Sequence, residues 1–396
     1  MRAPTFVSII SFGLLAACSS DPSSTPDASG GDDDAAVDAP ASACPRTPKS
    51  ADRTRYIVVG KPYDTAGTKA NVFEVIEVSA TGEMTRPNRT FTMGRGAFGS
   101  IAFTPDGEVG MIAQEGGTLG VFTIDDAGQV TVVHEALAGD VYASRVYADP
   151  DGEHAWILDT NWRENGGALY RATIGCDGAL SDITMVAPSR LPSGVAFFEG
   201  RMLVAAADIA DWTTPGQDVH LFDRAMPPAR LTGADAFGDD LQIVAGSALS
   251  ADGATYFIGD ASAGGNNRVA IVGVTPTEIT PLARLPLADP EGIATSPFGD
   301  VTIVTTAIGD AITILDKEGA SGTWRIRGPV STPSKPLLPG DVAPVHAGML
   351  RGRVFVSENV SIRQLAFRED GAVENIGSLA FGSGLENILG AIGITP

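Results

Sequence analysis

The side chains best placed for chemistry are a set of acids at like positions along the 396-residue chain. Asp240, Glu291, Asp341 and Glu386 each stand just ahead of a short β-like run, and Arg145 and Gln242 lie beside similar runs. Brought to one place, such carboxylates repel unless water screens them, an arginine pairs with them or a cation binds. Two readings stay open: a site for Ca²⁺ or another divalent cation, and a solvated acidic rim. The rim is the plainer reading for a chain of net charge −21. Other chemistry leaves little trace. The four histidines, His134, His154, His220 and His346, include no pair at metal-ligand spacing, and no G-x-S-x-G nucleophile elbow is present. Only His346, in VAPVHAGML, falls in a run expected to face the middle of the fold. No catalytic residue is assigned by spacing alone.

Residues this far apart in sequence meet only if the elements carrying them repeat around a common axis. A turn after a short β-like run recurs at Gly107, Gly152, Gly200, Gly253, Gly299 and Gly352, at intervals of 45, 48, 53, 46 and 53 residues. Within each interval lie short β-branched runs separated by Asp-Gly or Gly-rich turns, the hairpin signature. VTIVTT, AITILD and TWRIR come after one such turn, and RVFVSE, SIRQLAF and AVENIGS after another. No segment has a 3.6-residue apolar period, so helix is not expected. Residues 44–396 hold about seven units of this length, and four-stranded units at this period predict a seven-bladed β-propeller. The segment NILGAIGITP at the C-terminus reads as an inner strand without its turn, while the first unit, from RYIVVG, lacks one. The run Ile388–Ile394 is therefore expected to pair with Tyr56–Val59 and close the ring.

Residues 55–85 and 110–131 (GMIAQEGGTLGVFTIDDAGQVT) resemble blades of the seven-bladed lactonase-like propellers, and DPDGEHAWILDTN (149–161) is similar to the related YVTN repeat. The resemblance covers most of the chain as a pattern of blades. It implies a propeller fold and, in the enzymes of that family, lactone chemistry by His, Arg and Glu near the channel. The sequence DPEGIAT around Glu291 also resembles the Glu-Gly that opens a blade in the gluconolactonase/regucalcin propellers, where the Glu holds a divalent metal. Such a metal implies further ligands, with Asp341 and Asn387 matching by position only.

Residues 1–17 carry Arg2 and an apolar stretch from Phe6 to Ala17, too short to span a bilayer, which needs about 20 residues. The stretch Leu15-Ala16-Ala17-Cys18 resembles the bacterial lipobox, which implies a signal peptide and lipidation at Cys18. Residues 18–43 are rich in Ser, Pro, Ala and Gly with six Asp, and are expected to form a flexible acidic tether. Cys44 and Cys176 then remain, and a disulfide between them is expected in an oxidising compartment. The part after residue 43 keeps a net charge of −16, which excludes binding to nucleic acid through phosphate contacts. The reading is a monomeric lipoprotein of the cell envelope, outer membrane or surface, attached to the bilayer through Cys18. Its role is non-enzymatic binding of an envelope protein, a glycan or a small ligand. The alternative is a lactone hydrolase or isomerase at the channel mouth, with or without a divalent metal.

Overall fold

The computed structural model describes residues 44–94, 100–114, 116–137, 141–160, 167–188, 192–206, 217–225, 228–238, 244–261, 267–319 and 322–396. These form seven antiparallel four-stranded sheets, arranged as the blades of a propeller. Their innermost strands are Ile392–Ile394 (blade 1), Ala102–Phe103 (blade 2), Ala143–Ala148 (blade 3), Pro192–Phe198 (blade 4), Val244–Leu249 (blade 5), Pro290–Thr295 (blade 6) and Val342–Pro344 (blade 7). Each is succeeded outward by three more strands in chain order. Blade 1 is the exception, because its innermost strand comes from the C-terminus and its other three from Arg55–Thr92.

Burial explains the sequence pattern. The second strands of blades 5 and 6, TYFIGD and VTIVTT, are buried at every position, since each sheet has a neighbouring blade on both faces. The outermost strand of blade 7, VENIGSLA, alternates half-buried and exposed because it lies at the rim. Among the described residues the buried apolar side chains divide into seven clusters, and each bridges one pair of neighbouring blades. The cluster with Ile57, Val59, Ile76, Phe355, Ile362 and Ile392 joins blade 7 to blade 1 and closes the ring.

The recurring Gly marks a turn with a local cause. In blade 2, Thr104 Oγ1 donates to Asp106 Oδ1 (2.6 Å), which also accepts from the Glu108 N–H (3.0 Å). Gly107 takes the left-handed position at φ 73°. Ser250, Asp252 and Gly253 repeat this arrangement in blade 5. Closure is as expected in partner. Ile392–Ile394 pair with Ile57–Val59, the Gly60 N–H bonds the Ala391 carbonyl and the Gly390 N–H bonds the Gly60 carbonyl (both 2.8 Å), and Leu385–Asn387 form a 3-10 turn ahead of this strand.

Ahead of the first blade, residues 44–54 run along the face where the inner strands end. Cys44 is bonded to Cys176 in blade 3, with Cα atoms 4.9 Å apart. The buried Arg46 bonds Asp106 (3.0 Å) and the Gly175 carbonyl (2.8 Å). Lys49 meets Glu108 and Asp126 at 2.8 and 2.7 Å. Arg55, at the start of the first strand, donates to the carbonyls of Thr395 (2.9 Å), Ala51 and Ala347 (both 3.2 Å). The segment therefore touches blades 3, 2, 1 and 7 in turn. No helix among the described residues is long and apolar enough to cross a membrane.

Candidate functional site

The inner strands enclose a central cavity of about 370 Å³, lined by Ser100, Arg145, Ser247 and Asp341 toward the mouth where these strands begin and by His346 toward the other. Backbone irregularities shape the first mouth. In blades 3, 4, 5 and 6 the pairing of the innermost strand with the second slips near its start. Such bulges bend a strand and re-aim its side chains. In blade 6 the register passes from Pro290↔Thr306 to Ile293↔Val304, so Glu291 and Gly292 stand without ladder partners. In blade 3 it slips between Ala143 and Arg145, and the intervening Ser144 hydroxyl donates to the Leu158 carbonyl (2.8 Å).

Small residues let neighbouring inner strands approach closely. A Cβ on Gly246 would lie 2.1 Å from the Glu291 carbonyl oxygen, and one on Gly292 would lie 2.9 Å from the Gly340 carbonyl oxygen. Two of the lead-in segments are strained. Asp289 and Leu338 hold positive φ (47° and 46°), and each directly precedes a proline, a position that favours extended backbone. Asp310, whose carboxylate accepts from the Leu338 N–H and from Lys335 (both 2.9 Å), is itself at φ 44°. Backbone strain of this kind gathers at functional sites. Here it surrounds Glu291 and Asp341.

The electrostatics centre on Arg145. Its guanidinium donates to the Ala245 carbonyl of blade 5. Burial acts against its charge, but Tyr147, Asp341 and Glu291 outweigh burial and raise its pKa. Glu291 is pushed up to about 8, first by desolvation, then by the like charges of Asp341 and Asp289, with Arg145 opposing. Desolvation also raises Asp341, against the pull of Arg145 and a hydrogen bond from the Ser100 hydroxyl (3.4 Å). Asp289 is raised by burial, its Oδ2 accepting from the Ile308 N–H (3.3 Å). The mouth thus holds a guanidinium beside two carboxyls that desolvation raises, Glu291 to about 8 and Asp341 in the same direction.

Of the residues singled out by sequence, Arg145, Glu291 and Asp341 are brought together. Glu386 is not: it sits on the 3-10 turn, where Asn387 donates to it (2.9 Å). Asp240, Gln242 and Cys18 lie outside the described residues. His346 faces the opposite mouth, where desolvation and then the Arg55 charge lower its pKa. His134 and His154 are in the blade bodies, the latter 3.0 Å from Asp151. His220 is buried within the third strand of blade 4. Among the described residues no group of three or more His, Cys, Asp or Glu converges to hold a metal. Glu291 and Asp341 have Arg145 as a shared counter-charge. Sequence reasoning missed Ser100 and Thr305. Thr305 sits in a second strand that reads as plain core (VTIVTT), but its hydroxyl binds the blade 6 bulge.

No protein-family model and no curated protein sequence matches the chain. Solved structures do. The periplasmic gluconolactonase PpgL of Pseudomonas aeruginosa aligns with a TM-score of 0.62 at 15% identity, covering 87% of this chain and 99% of that one. A putative 6-phosphogluconolactonase of Bacteroides uniformis aligns at 0.63 and 12% identity, covering 86% and 99%. One from Bacteroides fragilis aligns at 0.58 and 13% identity, covering 88% and 100%. At such identities likeness establishes architecture, and the chain is a seven-bladed β-propeller of the form these lactonase-like proteins share.

Proposed function

We propose that the mouth formed by Arg145, Glu291 and Asp341 binds and hydrolyses a small hydroxyl-rich lactone. The observation that carries this reading is the meeting at one mouth of two carboxyls, both raised by desolvation, with a guanidinium whose charge they stabilise, since perturbed groups gathered in a cleft mark sites of acid and base chemistry. Arg145 would donate to the lactone carbonyl oxygen and stabilise the negative charge that develops there as water attacks the carbonyl carbon. Asp341 would take the proton from that water. Glu291, protonated at neutral pH, would give its proton to the ring oxygen as the acyl–oxygen bond breaks. One water is consumed, the product is the open hydroxy acid, and a proton returns from Asp341 to Glu291 through solvent. No step passes through a metal.

Support comes also from the structural neighbours named as lactonases. The test is hydrolysis of glucono-1,5-lactone, monitored as acid release above the spontaneous rate. Glu291→Gln should lower the enzymatic rate roughly 10²- to 10⁴-fold. The wild-type rate should fall as pH rises through about 8, where Glu291 loses its proton. A folded Glu291→Gln variant with wild-type rate overturns the reading.

A second reading, capture without chemistry, is favoured by exposed apolar side chains on the same face. Tyr142, Leu337 and Leu385 precede the inner strands of blades 3, 7 and 1, and Ile308 caps a turn beside Asp289. A lactone-inactive wild type that still binds the lactone supports it. We propose in addition that the protein works at the cell envelope, attached through a lipidated Cys18. Palmitate labelling in a bacterial host should mark the wild type and not Cys18→Ser.

A further inference from the structure

We infer that Thr305 is the positioning residue of this mouth, its single hydroxyl holding the Glu291 turn and the Asp341 turn as one unit. The inference rests on the reading of Glu291 and Asp341 as the groups that face the ligand. The two turns are alike: Asp289-Pro290-Glu291-Gly292 in blade 6 and Leu338-Pro339-Gly340-Asp341 leading into blade 7, each with a strained residue before its proline.

The blade 6 bulge removes the ladder partner of the Gly292 N–H, and Thr305 is the residue that lies opposite the gap. Its Oγ1 accepts the Gly292 N–H at 2.7 Å and, 2.6 Å from the Gly340 carbonyl oxygen, donates its own proton there. Thr305 is wholly buried, so water cannot take over either bond. The turn it reaches is fixed from the other side: the Gly340 N–H donates to the Ser357 carbonyl (2.8 Å), and the Ser357 hydroxyl donates to the Asp341 carbonyl (3.2 Å).

Blade 5 shows that the fold itself does not need this hydroxyl. Its bulge has the same form, passing from Val244↔Asp260 to Ser247↔Ile258, and there the residue matching Thr305 is Gly259. Glycine has no hydroxyl to offer, so the blade 5 bulge stands without such a tie. In blade 6 the matching threonine ties the bulge to the next blade's lead-in turn, and that tie sets the spacing between the carboxyls facing Arg145. Removing it leaves a buried N–H and a buried carbonyl unpaired, which drives the turns apart toward water. Glu291, surrounded by Arg145, Asp341 and Asp289, then loses both the desolvation and the neighbouring charge that keep it protonated.

The test compares the full chain with Thr305→Val, which keeps the shape, and Thr305→Ser, which keeps the hydroxyl. Two readouts are taken: kinetics on glucono-1,5-lactone, and the Glu291 carboxyl titration by carbon NMR, assigned by its loss in Glu291→Gln. Thr305→Val should lower kcat roughly 10- to 100-fold with a smaller change in KM. Its Glu291 midpoint should fall from about 8 toward the ordinary carboxylate range. Thr305→Ser should restore both. A folded Thr305→Val with the wild-type Glu291 midpoint overturns the proposal. If that variant does not fold, Thr305→Cys takes its place, and an unchanged midpoint there overturns it equally. A wild type inactive on the lactone sinks the hydrolase reading alone, and the titration still decides the role of Thr305.

Discussion

At the scale of single residues, the site is a matter of which carboxyls remain protonated. Glu291, pushed up to about 8, is joined by Asp218 in blade 4, raised to about 7 by burial and by its neighbour Asp235. Both values lie above those of an unfolded chain, 4.5 and 3.8. The folded protein therefore holds more protons than the unfolded one between those limits. Their stabilising contribution is complete below about pH 4 and is lost as pH rises to about 8. At constant ionic strength the melting temperature should thus be lower at pH 8.5 than at pH 5.5. The drop should shrink in Glu291→Gln, and a drop of equal size in that variant would show that Glu291 is not its source. Part of this site was legible in the sequence. Glu291 and Asp341 stand out because acids at the start of apolar runs are conspicuous, and Arg145 because it lies beside a similar run. Thr305 was not legible, since a threonine in a β-branched run is ordinary. Its role depends on a bulge, and nothing in DPEGIAT marks where pairing slips. Nothing in the Asp-Pro and Leu-Pro steps at 289–290 and 338–339 marks the left-handed backbone that stands ahead of each proline.

At the scale of strands, periodicity carried most of the information. Turns built on Asp106 and Asp252 recur because a side-chain carboxylate replaces the ladder bonds that end at each hairpin, so their spacing reports blade length directly. The rim strands were equally readable, and their prolines explain why they end the sheets: Pro87, Pro281 and Pro286 lie within outermost strands and supply no N–H to a further partner. Less readable was how little strand suffices near the axis. Ala102–Phe103 and Ile392–Ile394 are shortened because the flanking backbone bonds its neighbours in other ways, such as the Ile101 N–H to the Ile392 carbonyl (2.9 Å) across two blades. Closure nonetheless hangs on those last residues. Deleting 386–396 removes Leu389, Ile392 and Ile394 from the cluster between blades 7 and 1 and exposes the edge of the first strand. The truncated chain should melt far below the full one or fail to fold, and an unchanged melt would show that the ring does not depend on its C-terminal strand.

At the scale of the whole molecule, the segment from Cys44 to Arg55 joins four blades by one covalent bond and a row of cationic side chains. The bond closes a loop of sequence separation 132, and losing it in Cys176→Ser should cost about 2–4 kcal/mol of stability. Chemical denaturation of the variant beside the wild type measures this, and equal midpoints would refute it. The same bond has a mechanical meaning. Tension arriving along the backbone at Cys44 divides at once between the path to the first strand and a covalent path into the hairpin of blade 3. The pairing of the C-terminal strand that seals the ring is thereby relieved of part of any pull from that end. In a force-ramp experiment gripping the chain before Cys44 and at the body of the disc, the oxidised protein should rupture at a higher load than the reduced one. A disc of this kind behaves less like a zipper opened from its first tooth than like a wheel hung from a spoke.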